Sequence, residues 1–209
     1  MNTQLRIDIH GYWYTGTGRT SGSHVDSLVE KDEHGLPYLN GRHLKGLLRD
    51  AIARAAQWGW FDEIEALPVS AGELESWLFG SRNAVDEDDS SRFTTHAGSL
   101  FISNAQLPQA DQIALRGQPL RKGLYRNLFS TAIDVETGTA KDQSLRGIEV
   151  VIPLTLYAEL TLQGPSQSVQ AAYEVLEKSI TLIDYVGGMR NKGMGRATLS
   201  LIQEGSKVA

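Results

Sequence analysis

Two stretches with helical spacing of apolar residues, each flanked by segments whose apolar residues alternate, predict an α+β fold of ferredoxin-like (RRM-like) βαββαβ order. A third observation, a tract of glycines and bases too long for a hairpin loop, predicts a protruding insertion at about 107–147, between the second and third strands.

The elements follow in order. Leu5, Ile7 and Ile9 alternate with Arg6, Asp8 and His10, the period of a strand with one buried face, and Tyr12-Trp13-Tyr14 can extend it. Residues 15–39 read as a long irregular loop. From Gly41 to Gln57, Leu44, Leu47, Leu48, Ala51, Ile52 and Ala55 form a helical stripe with a basic opening turn. Ser70 and Glu73 have capping-box spacing ahead of Leu74, Trp77 and Leu78, predicting a short accessory helix that stops at Gly80. Ser99 to Gln106 alternates as the second strand. Ile148 to Leu162 reads as one long third strand with its even-numbered residues on one face. Val169 to Ile183 gives the second amphipathic helix, ended by Gly187 and Gly188, and Ala197, Leu199 and Leu201 alternate in a last strand ending near Glu204.

Composition sets the outer limits. The 209 residues carry a net charge of −5 with 41% hydrophobic and 22% charged residues, a globular balance that a single domain over 1–209 accommodates. Zero cysteines exclude a disulfide framework, a thiol nucleophile and Cys-based zinc sites. There is no basic region leading into an apolar run, so the expectation is a cytoplasmic protein without membrane partners. Nucleophile-elbow, P-loop and H-E-x-x-H motifs are missing, and Gly16-Thr17-Gly18 lacks the third glycine of a dinucleotide fingerprint. These absences argue against hydrolase, NTPase and dehydrogenase readings. The acidic mean charge also argues against a protein coated in bases, while leaving room for a local basic groove.

Two segments have a physical reason to meet nucleic acid. At the opening of the first helix, backbone N–H groups and a positive dipole attract phosphate, and Lys45 adds a point charge. In Gly187-Gly188-Met189-Arg190-Asn191-Lys192-Gly193-Met194-Gly195-Arg196, glycines permit close approach of a polynucleotide backbone while Arg190, Lys192 and Arg196 neutralise phosphates. Ordinary readings stand beside both: a solvated helix face for Lys45 and Arg49, and a helix-to-strand turn for the glycines.

Four segments in order along the chain carry a resemblance. They are Leu36 to Arg49, Gly98 to Ala105, Ile133 to Ala140 followed by Glu149 to Pro153, and Gly187 to Arg196. Together they resemble the RAMP superfamily of CRISPR-associated proteins, and more narrowly the backbone subunits of type III effector complexes. In the family's P-x-I-P-G-S-S-L-K-G-x-x-R pattern, Lys45, Gly46 and Arg49 match while Arg42 and His43 replace the two serines.

The resemblance implies a guide-RNA-binding subunit that assembles head to tail with copies of itself and with other effector subunits, and that cleaves paired target RNA. It implies RNA contacts at Arg42, His43, Lys45, Arg49, Gly188, Arg190, Lys192, Gly193 and Arg196. A thumb-like insertion would wedge Ile133, or Val135, between bases. It further implies a catalytic aspartate in the loop after the first strand, holding a divalent metal expected to be Mg²⁺; Asp26 fits, with Asp32 or Glu30 as alternatives. Two other readings remain: a scaffold without cleavage, and a guide-processing endoribonuclease of the same superfamily using metal-independent acid/base chemistry.

Overall fold

The computed structural model describes residues 2–16, 27–80, 97–116 and 119–203. Alternation in the first segment produces β1 (Asn2–Ile9), with Leu5, Ile7 and Ile9 buried on one face. The strand stops there instead of running on through the aromatic residues. Trp13 leaves the sheet and forms an isolated antiparallel bridge to Val151.

Helix α1 spans Gly41–Gln57 and buries Leu44, Leu48, Ala51, Ile52 and Ala55, the predicted stripe apart from Leu47, which is half-buried. Full burial of a leucine or isoleucine stabilises by about 1.5–3 kcal/mol, so this face, more than intrinsic propensity, holds the helix in place. A 3₁₀ turn, Ala71–Glu73, leads into α2 (Leu74–Phe79), and the Ser70–Glu73 capping box forms as its spacing requires. The second strand, β2 (Leu100–Ile102), is shorter than the alternation suggested; Ala105 and Gln106 instead make isolated bridges to Leu39 and Tyr157.

The insertion contains more regular structure than its composition implied. Helix α3 (Gln109–Leu115) and a 3₁₀ turn (Pro119–Leu124) precede β3 (Tyr125–Ser130), which pairs antiparallel with β4 (Arg146–Val151). The two strands form a ribbon separate from the main sheet, with residues 131–145 at its far end.

The single strand expected over Ile148 to Leu162 is two strands in two different sheets. The break lies at Pro153, between β4 and β5 (Thr155–Leu162). Proline has no N–H to donate to a ladder, so pairing is interrupted there and the chain changes partners. Trp13 secures the junction. Its N–H donates to the Val151 carbonyl (3.1 Å), its carbonyl accepts from the Val151 N–H (2.9 Å), and its indole Nε1 donates to the Ile152 carbonyl (3.0 Å).

Helix α4 (Ser166–Ile180) and β6 (Ala197–Gln203) complete the chain's described elements. The main sheet runs β2-β5-β1-β6 with every neighbouring pair antiparallel. Helices α1 and α4 pack on one another, and on β2 and β6 respectively, closing a core with Leu156, Ala158, Leu160 and Leu199 from the strands. No helix among the described residues is long and apolar enough to cross a membrane.

Candidate nucleic-acid interface

The start of α1 and the glycine-rich loop, 144 residues apart in sequence, are joined by one hydrogen bond: the Gly187 N–H donates to His43 Nε2 at 2.8 Å. Accepting that proton requires a neutral imidazole at Nε2. Burial, and then the charge of Arg190, push the His43 pKa below its usual value, which favours the accepting form. His43 therefore acts here as a brace for the loop, and not as a cation for phosphate.

The loop is stitched down on its other side by the segment after β1. Gly188 N–H donates to the Tyr14 carbonyl (2.7 Å) and Gly195 N–H to the Tyr12 carbonyl (2.8 Å). Two of the glycines serve this packing. A Cβ on Gly187 would stand 2.6 Å from the Tyr14 carbonyl oxygen, and one on Gly195 would collide with the Val186 carbonyl oxygen. Gly193 differs: its φ is +76° and nothing lies within 4 Å of where its Cβ would be, so it faces open space. Around it, Arg190, Lys192 and Arg196 are exposed, with Arg190 and Lys192 on a 3₁₀ turn. Arg190 also lines a groove with Leu47, Asp50, Arg54 and Tyr185 beside α1.

At the helix start, the expectation of free backbone donors is corrected. The Gly41 N–H donates to Asn104 Oδ1 (2.9 Å), the Arg42 N–H to Asn40 Oδ1 (2.9 Å) and the His43 N–H to the Asn40 carbonyl (2.9 Å). The first turn thus satisfies its donors internally. The exposed Arg42 side chain and the helix dipole stay open to an anion.

Lys45 and Arg49 turn toward α2. The Lys45 ammonium lies 6.0 Å from the Phe79 ring centroid; the Arg49 guanidinium lies 5.3 Å from it, donates from Nη2 to the Phe79 carbonyl (3.3 Å) and approaches Glu75 Oε1 at 3.5 Å. Arg49 ties α1 to α2, a role its motif position did not reveal.

On the insertion, Ile133 and Val135 are 61% and 98% exposed, so neither is consumed by a local core. They sit on a turn built around Asp134, whose carboxylate accepts from the Glu136 and Thr137 N–H groups and is held below its usual pKa by those bonds.

Asp26 lies outside the described residues. The two alternatives are committed to structure. Glu30 accepts from the Tyr38 hydroxyl at 2.6 Å, raising that phenol's pKa to about 12, and Asp32 accepts from the His34 and Leu36 N–H groups. Among the described residues, no group of three or more His, Asp or Glu side chains could hold a metal ion.

Sequence reasoning missed the brace at His43 and the backing of the glycine loop by Tyr12 and Tyr14. The departure of His43 from the serine of the family pattern was the available signal.

Comparison with solved structures places this fold beside two complexes. A chain of a Type III-B Cmr-beta complex bound to cognate target RNA superposes with a TM-score of 0.66 at 10% identity, over 96% of this chain and 97% of that one. A chain of apo Type III-B Cmr-beta gives a TM-score of 0.65 at 11% identity, over 98% of each. No curated protein sequence matches. The model of the RAMP superfamily matches residues 6–198, which take in β2 to β5, both long helices and the glycine loop, and the chain therefore belongs to the RAMP superfamily.

Proposed function

We propose that this chain is an RNA-binding backbone subunit of a type III CRISPR effector complex, acting as one domain over 1–209 with a ferredoxin-like core and a thumb at about 107–147. The observation that carries this reading is the His43–Gly187 bond, which ties the loop that carries exposed Arg190 and Lys192 to the start of α1. The guide RNA backbone would pass over Gly193 and pair its charge with Arg190, Lys192, Arg196 and Arg42, while Ile133 or Val135 on the thumb inserts between bases. Copies of the chain would stack head to tail along the guide, alongside other effector subunits, in the cytoplasm. Likeness to Cmr-beta chains, one of them in a complex with target RNA, supports RNA and such subunits as partners.

Cleavage of target RNA belongs to the same proposal, with Asp26 as the catalytic carboxylate. Asp26 would hold a divalent ion such as Mg²⁺, which would supply charge stabilisation at the scissile phosphate. A second reading is a scaffold that holds RNA without cutting it, since Glu30 and Asp32, the alternative carboxylates, are engaged in hydrogen bonds to Tyr38 and to the 34–36 backbone.

One reconstitution separates them. In the assembled complex, Asp26→Asn should leave guide and target binding unchanged and slow target cleavage by orders of magnitude, with EDTA stopping the wild-type reaction. Cleavage at the wild-type rate by Asp26→Asn would remove Asp26 from the chemistry; absence of cleavage by the wild-type complex would select the scaffold. Arg190→Ala with Lys192→Ala tests the interface itself. For single strands, two lost phosphate contacts should lower the slope of log K against log salt by about 1.4. An unchanged slope would refute the glycine-loop interface.

A further inference from the structure

At the foot of the insertion, the 3₁₀ turn Pro119–Leu124 and β3 face the segment around Lys31–Gly35 across an open trough of about 350 Å³. Its walls carry four bases, Lys31, Arg121, Lys122 and Arg126, against one acid, Glu149, on a chain whose net charge is −5. The acid is turned inward. The Glu149 side chain is 14% exposed and accepts from the Val29 N–H (3.2 Å) and from Lys31 Nζ (2.8 Å).

The trough is also held in shape. Tyr125 donates its hydroxyl proton to the Gly35 carbonyl at 2.7 Å, and Lys31 Nζ sits 4.1 Å from its ring centroid. Arg121 donates from Nη1 to the His34 carbonyl, and its guanidinium lies over Gly35, where a Cβ would come within 3.1 Å of it. By contrast, Lys122 and Arg126 are exposed and make no ion pair among the described residues; Arg126 donates to the Gly123 and Tyr125 carbonyls, contacts that leave its charge uncompensated.

We propose that this trough is a second backbone site, taking the sugar–phosphate chain of single-stranded RNA separately from the glycine loop. The proposal rests on the RNA-binding reading given above. Bases contributed by two facing elements along an open channel suit a run of phosphates better than one enclosed anion. The location adds a consequence for the chemistry. Ser27, the residue after Asp26 in sequence, bridges to Ile148, and its carbonyl accepts from the Glu149 N–H at 3.0 Å. A strand in the trough would therefore run past Ser27, the residue next to Asp26 in sequence.

The test compares RNA binding by wild type, by Lys122→Ala/Arg126→Ala and by Arg190→Ala/Lys192→Ala in a salt titration with a single-stranded RNA oligonucleotide. The trough variant should bind more weakly and lose about 1.4 from the log–log salt slope, as two phosphate contacts dictate. Because the chain has no cysteine, Asn127→Cys places a unique thiol on the trough wall, which should crosslink to RNA bearing a thiol-reactive backbone group. If the glycine-loop variant loses affinity while the trough variant keeps wild-type affinity and slope, the trough is refuted and the RNA-binding reading stands. No RNA binding by wild type overturns both. Loss of affinity in the trough variant without crosslinking at Asn127→Cys overturns the site. Suppression of crosslinking by millimolar inorganic phosphate alone would assign the trough to free phosphate and overturn it as an RNA track.

Discussion

Replacing His43 by leucine removes the acceptor for the Gly187 N–H at a buried residue and leaves that donor without its partner. An unsatisfied buried N–H costs about 1–3 kcal/mol. For a chain of this size each kcal/mol moves Tm by about 2–4 °C, so His43→Leu should melt roughly 2–12 °C below wild type. His43→Gln, whose side-chain oxygen can accept, should recover part of the loss. The pH dependence supplies an independent sign. Burial first, and Arg190 second, lower the folded-state pKa of His43 below the value of about 6.5 that it has in an unfolded chain. Its contribution is therefore complete above that unfolded value and is lost as pH falls through the lower folded value, because the imidazolium donates from both nitrogens and repels Arg190. Thermal melts of wild type and His43→Gln across roughly pH 8 to 5 should converge at the acidic end. A His43→Leu protein that melts with wild type, together with a pH-independent gap between wild type and His43→Gln, would refute the brace.

Two further perturbations separate packing from binding. Gly195→Ala should destabilise the fold severely, since its Cβ collides with the Val186 carbonyl and its φ is +77°, whereas Gly193→Asn should be nearly neutral in urea denaturation because asparagine tolerates the left-handed region and the surroundings are open. Arg49→Ala should lower Tm by loosening α2 from α1 while leaving the salt slope of RNA binding unchanged, the reverse of the effect its motif position suggests.

Where local pattern decides structure, the sequence was a sound guide. The α1 stripe from Leu44 to Ala55 and the Ser70–Glu73 box depend on spacing within a few residues, and both form as read. What was not legible depends on long-range contact. Alternation from Ile148 to Leu162 holds in β5, whereas in β4 the adjacent Val150 and Val151 are both buried, and periodicity carries no information on which strand is the partner, so a change of sheet was invisible. The donors at the start of α1 looked free because the acceptor for Gly41 is Asn104, 63 residues further along the chain. Arg49 likewise showed its motif spacing and hid its attachment to Phe79. The candidate site divides the same way: the exposed bases around Gly193 were readable from composition, while the brace that fixes their position was not.

The joint at Pro153 bears on how force passes through the molecule. Three residues separate the arm's β4 from β5, which is hydrogen-bonded to β1 and β2 within the main sheet, and Trp13 clasps that joint with three hydrogen bonds. A two-stranded arm on a slack tether would swing and absorb strain. An arm mounted this way works as a lever with a clamped fulcrum, so a pull at its tip is delivered as shear along β5 into the interior of the sheet. Weakening the clasp at Trp13 would turn the lever into a flail without altering a single residue at its tip.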